Sequence, residues 1–121
     1  MSTARATGRA DCRAMHFVVI GKDKTGGGHR RRHRAAHLEF VAERQGDIVY
    51  AGPLLDDEEM VGSVFVFALP DRAALDAYLA EDPYFAEAIF ETVEIYESRW
   101  MVPEREPGFL RAEAERARAA S

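Results

Sequence analysis

A chain of 121 residues supports one domain with a real core and leaves no room for two. Its formal net charge of -5 argues against general nucleic-acid binding, which needs excess lysine and arginine, and no apolar run approaches the roughly 20 residues that cross a bilayer. The single cysteine, Cys12, has no partner for an intrachain disulfide or a cysteine zinc cluster, so a reducing cytoplasm is the expected compartment.

Residues 1–14 are rich in Arg, Ala, Ser and Thr, with no apolar periodicity and no hydrophobic stretch of the secretory kind. They read as a disordered extension, and Met15, where patterned sequence begins, is a second possible start. Phe17-Val18-Val19-Ile20 is aromatic and β-branched, stops at Gly21, and predicts a strand. The loop that follows contains Gly26-Gly27-Gly28, but no Lys-Ser or Lys-Thr comes after it, so it lacks what a phosphate loop requires.

A helix is expected from Arg31 to Gln45, with Gly46 as its C-terminal stop. Leu38, Val41 and Ala42 would share its apolar face, extended by Arg34 and His37. The run Arg30-Arg31-Arg32-His33-Arg34 reads either as a solvated helix start or as an anion-steering rim beside His37. Residues 47–51 and 63–68 predict two antiparallel strands about an acidic turn at Asp56-Asp57-Glu58-Glu59, with Gly52-Pro53 ending the first.

Asp71 is a suitable N-cap for a second helix, whose Leu75, Tyr78 and Leu79 recur at helical spacing. Asp82 follows in register, and Pro83 ends that helix while being well placed to begin a short one. Thr92 to Trp100 alternates as a last strand. Residues 103–121, rich in Glu, Arg and Ala, read as a polar tail that frays or forms a surface helix. Strand, helix, two strands, helix, strand is the order of an α+β, ferredoxin-like βαββαβ sandwich, a four-stranded antiparallel sheet with its helices on one face. Its second sheet face would be unusually apolar, because Phe17-Val18-Val19-Ile20 and Val64-Phe65-Val66-Phe67 are apolar on both parities; a two-fold dimer through that face is expected.

His37 and Asp82 are the chemically suggestive pair. A carboxylate that fixes the tautomer of a neutral imidazole makes a general base at neutral pH. Two readings stand for them: a proton-transfer dyad, or a histidine bonded to a helix end and an aspartate capping the short helix at Pro83. His29, His33 and His37 also repeat every four residues, which would suit a zinc or iron site if the helix began early, although the neighbouring arginines oppose a bound dication.

Residues 15–102 resemble the YCII-related family, small dimeric α+β barrel proteins similar to muconolactone isomerases. The resemblance rests on Arg34 and His37-Leu38, Ala51-Gly52-Pro53-Leu54, Gly62-Ser63 and Asp82-Pro83-Tyr84, in that order. It implies a pocket between sheet and helices lined by His37 and Asp82 as a catalytic dyad, working without cofactor or metal. From a relative that removes chloride from a chlorinated hydroxyquinol, it also implies isomerisation or elimination on a small cyclic or aromatic-derived metabolite. Within such a pocket Ser63 or Tyr84 would donate to a developing enolate oxygen and Arg34 would hold a substrate carboxylate. The competing expectation is a module that binds a small molecule, or a partner, in the same pocket without turning it over.

Overall fold

The computed structural model describes residues 14–120, so the expected disordered extension lies, but for its last residue, outside the described residues. Four strands form one antiparallel sheet in the order β2-β3-β1-β4: β1 (Met15–Asp23), β2 (Ile48–Asp56), β3 (Glu59–Leu69) and β4 (Phe90–Ser98). Two helices cross the sheet, α1 (His29–Ala42) and α2 (Arg72–Glu81), and a single turn, α3 (Pro83–Ala86), follows α2 directly. This is the ferredoxin-like arrangement that the element order predicts.

One face of the sheet carries the core. Phe17 and Val19 of β1 and Phe65, Phe67 and Leu69 of β3 are buried together with Leu75 and Tyr78 of α2, and Phe40 of α1 packs on their edge. The alternation of these positions along β1 and β3 is what a half-buried strand requires. Asp71 caps α2 by accepting a hydrogen bond from the Ala74 amide at 2.9 Å, and Pro83 starts α3 as expected.

Three local expectations need correction. Gly52-Pro53 does not end a strand; both lie inside β2, paired with Val64 and Ser63. Proline is tolerated there because β2 is an edge strand, where an amide turned away from the sheet has no ladder bond to lose. The first helix begins two residues earlier than predicted, after the left-handed N-cap Gly28 (φ 62°), and ends three earlier, at Ala42 rather than beside Gly46. Its buried side is therefore not the Leu38–Val41–Ala42 stripe. Leu38 is 47% exposed, and His37 is the buried residue of the helix.

Close backbone approach brings β1 and β3 together beside the pocket described below. A Cβ at Gly62 would collide with the Gly21 carbonyl oxygen, and one at Gly21 would meet the Phe90 ring at 2.7 Å. Glycine is required at both positions for space rather than for backbone angle.

The opposite face is open and apolar. One cross-strand rung runs Tyr50, Val66, Val18, Tyr96, with Tyr50 and Tyr96 62% and 53% exposed. The chain beyond β4 reaches the end of this face at His16. Trp100 meets the His16 ring edge-on at 5.5 Å, and the Arg105 guanidinium lies 4.4 Å above the Trp100 ring and donates to His16 Nε2 at 3.3 Å. The tail then forms a surface helix, α4 (Phe109–Ala120), none of whose residues is buried. Glu104 caps it by accepting from the Gly108 and Leu110 amides, which hold its carboxyl below the usual glutamate value.

Burial, reinforced by the positive charge of Arg105, lowers the His16 pKa, so the folded protein favours its neutral form. The unfolded chain then takes up the proton first, and His16 opposes the docked state as pH falls below the ordinary histidine value of about 6.5. Trp100 is the sole tryptophan. Its emission is expected to shift to longer wavelength between about pH 7.5 and 5, and His16→Gln to remove the step; a wild-type spectrum flat across that range would contradict this.

Candidate functional site

The site is built around a carboxylate that has no access to solvent. Asp82 is 0% exposed, at the junction where α2 ends and α3 begins. A buried charge is tolerable only when hydrogen bonds replace its hydration. His37 Nδ1 lies 2.8 Å from Asp82 Oδ1, the Tyr84 amide donates to the same oxygen at 2.9 Å, and the Tyr78 hydroxyl donates to Oδ2 at 3.0 Å. The aspartate thus both caps the short helix and orients the histidine, so the two readings of the sequence are compatible.

That accounting fixes the imidazole. An ionised carboxylate only accepts, so Nδ1 carries a proton and, in the neutral ring, Nε2 keeps a free lone pair. The ring is clamped as well as tethered: it stacks on Tyr84, with centroids 3.7 Å apart and planes 7° from parallel, while Phe65 meets it edge-on at 6.0 Å. Tyr78 stays a donor throughout, because burial and then the charge of Asp82 push its hydroxyl well above the usual tyrosine value.

His37 opens onto a pocket of about 200 Å³ between α1 and the β2–β3 end of the sheet. Every residue predicted for the site lines this pocket except Asp82, which stands behind His37. Ser63 is buried in the wall, Tyr84 forms the surface under the imidazole, and Arg34 sits exposed at the rim, its Nη1 3.7 Å from Met60 Sδ. Leu38, Val41 and Pro53 supply apolar wall. His29 and His33 do not join His37: His29 Nδ1 faces Arg32, and among the described residues no three metal-ligating side chains converge.

Sequence reasoning missed two participants. Tyr78, one turn before Asp82, was read only as core. Arg30 belongs to the run that reads as a solvated helix start or an anion-steering rim, and neither reading gives it a counterion or singles it out from its neighbours; it lies two turns before His37 on the same face of α1. Its Nε and Nη2 grip Asp23 of β1 at 2.8 and 2.9 Å, and Nη2 also donates to Ser63 Oγ at 2.9 Å. Burial works against its charge, but the hydrogen bonds and charge of Asp23 outweigh this and raise its pKa, so the guanidinium stays cationic.

Fold and pocket together define a class: a small ferredoxin-like α+β protein with a histidine–aspartate pair set between sheet and helices. The YCII-related domain matches residues 15–99, and the chain belongs to that family. Among solved structures it is similar to 5-chloro-2-hydroxyhydroquinone dehydrochlorinase from Burkholderia phenoliruptrix in complex with 2,5-dihydroxybenzoquinone. That likeness covers 71% of this chain and 93% of the other, at a TM-score of 0.61 and 24% identity. An antibiotic biosynthesis monooxygenase is similar over 72% of this chain and 98% of its own, at a TM-score of 0.50 and 16% identity. At these identities the likenesses bear on fold alone. No protein of curated function matches the chain.

Asp82→Ala removes a helix cap and strands the donors of His37 and Tyr78 in the interior. It is expected to destabilise the protein by about 3 kcal/mol in urea unfolding. Asp82→Asn keeps an acceptor at the cap and is expected to cost less than half as much.

Proposed function

We propose that the pocket performs cofactor-free general acid/base chemistry, an isomerisation or elimination, on a small cyclic or aromatic-derived metabolite. The observation that carries this reading is the orientation of His37: Nδ1 is committed to Asp82 at 2.8 Å, which leaves Nε2 as the basic atom in a ring that lines the pocket. Asp82 positions the imidazole and stabilises the imidazolium formed when Nε2 takes a proton. Base catalysis of this kind contributes about 10² to 10⁴ in rate, enough for a substrate whose proton is already acidic.

Size supports a single-ring substrate. A volume of about 200 Å³ falls below the roughly 300–1,000 Å³ that suits drug-sized ligands. The dehydrochlorinase that shares the fold acts, by its name, on a chlorinated hydroxyquinol, which makes elimination from an activated ring the first chemistry to screen.

The working form is a homodimer joined through the open sheet face, where the Tyr50–Val66–Val18–Tyr96 rung would be withdrawn from water. The compartment is the cytoplasm, in keeping with the lone cysteine; among the described residues no helix is long and apolar enough to cross a membrane.

For a hydroxyquinone or lactone found by screening, His37→Ala and Asp82→Asn are expected to lower turnover by about 10² to 10⁴ with circular dichroism unchanged. Folded variants that turn over at the wild-type rate would contradict the dyad. Variants that lose only affinity would assign the pocket to binding alone. Sedimentation is expected to give twice the chain mass for the wild type and a monomer for Val66→Glu; a monomeric wild type at micromolar concentration would contradict the dimer.

A further inference from the structure

The donors of Arg30 are only partly spent. Of its five N–H groups, Nε–H and both hydrogens of Nη2 are committed to Asp23 and Ser63, whereas the two on Nη1 make no bond of normal hydrogen-bond geometry among the described residues. Ser63 Oγ accepts from Arg30 and retains its own proton, also without a partner among the described residues. The Tyr84 hydroxyl is a third group short of a full bond: it is buried and near enough to the Arg30 guanidinium, which lies 5.0 Å from its ring centroid, to help hold that charge, yet it meets no partner at hydrogen-bond geometry. Buried polar groups are normally satisfied. Three incompletely satisfied groups on residues that share the wall of the His37 pocket mark a place for an acceptor supplied from outside the chain.

We propose that Arg30 and Ser63 form an oxyanion-binding subsite, and that the ligand is a planar phenol or enol held there by its oxygen as the phenolate or enolate. This rests on the reading of the pocket as a proton-transfer site and names its substrate class. Flat geometry follows from the walls, where the stacked His37–Tyr84 pair and the edge of Phe65 favour a ring. The charge follows from Asp23, which fixes the guanidinium and offsets its unit charge. A full carboxylate would be stripped of water for little net attraction, whereas a delocalised oxyanion formed inside the pocket meets donors already in place.

In the step, the substrate O–H or C–H bond breaks and its proton passes to His37 Nε2. The electron pair remains on the substrate as the oxyanion facing Arg30 Nη1 and Ser63 Oγ. Nδ1 keeps its proton and its bond to Asp82, so one imidazolium and one enolate or phenolate replace two neutral groups. Arg34, exposed at the rim, stands outside this subsite.

The test uses 4-nitrophenol, whose phenolate absorbs in the visible, titrated against the full chain without turnover. The wild type is expected to bind the phenolate and shift the probe's ionisation to lower pH. Arg30→Met is expected to weaken phenolate binding at least about tenfold, and Ser63→Ala, which leaves the Arg30–Asp23 pair intact, about threefold. His37→Asn is expected to retain the phenolate preference. Wild-type protein that shows no preference for the phenolate at millimolar probe would overturn the proposal. So would Arg30→Met and Ser63→Ala variants that bind it undiminished. If Arg30→Met fails to fold, the Ser63→Ala result decides. His37 variants that lose turnover with the probe still bound support both the dyad and the subsite, whereas His37 variants that keep turnover with the probe bound would overturn the dyad and uphold the subsite.

Discussion

A carboxylate sealed from water sets the terms for the rest of this molecule. Asp82 is accommodated in the interior because donors reach it from three directions: the imidazole of α1, the phenol of α2 and the first free amide of α3. Each bond is short-range and directional, so the three helical segments can take only one mutual placement without leaving a donor or the acceptor stranded. Positioning the histidine and packing the helices are therefore the same act.

From that anchor the pocket follows. α1 lies across β2 and β3 with His37 held down at its middle, and the space between Pro53, Val41 and Phe65 stays open beside it. The small residues Gly21 and Gly62 let the strands and the Phe90 ring close in behind Ser63. A second ion pair, Arg30 with Asp23, ties the start of α1 to the end of β1 where the ladder has a bulge. The helix is thus pinned by charge at two points, one turn-capping aspartate and one strand-end aspartate, with the reactive imidazole nearer the first.

The order of elements was legible because each has a strong local signature: β-branched runs for β1 and β3, a capped helix at Asp71, a proline-started turn at Pro83. His37, Asp82, Ser63, Tyr84 and Arg34 were singled out through the family pattern and the chemistry it implies; the structure sets Arg34, exposed, among the residues lining the pocket. What escaped depended on phase and on partners distant in sequence. Among Arg30, Arg31, Arg32 and Arg34, only helix phase decides which turns inward, and starting the helix at His29 puts Arg30 on the His37 side. Nothing near Arg30 in sequence announces Asp23 as its counterion. Gly52-Pro53 was misread as a turn because the dipeptide usually is one; the edge position that permits it is a property of sheet order, which pairing across the chain determines.

Pro53 carries one further implication. The margin of the sheet along β2 is a row of backbone groups open to pairing with an extended peptide, and a proline leaves one rung of that row without a hydrogen to offer. Growth of the ladder sideways into fibrils or domain-swapped ribbons is interrupted at that rung, so the same residue that walls the pocket also guards the border of the fold.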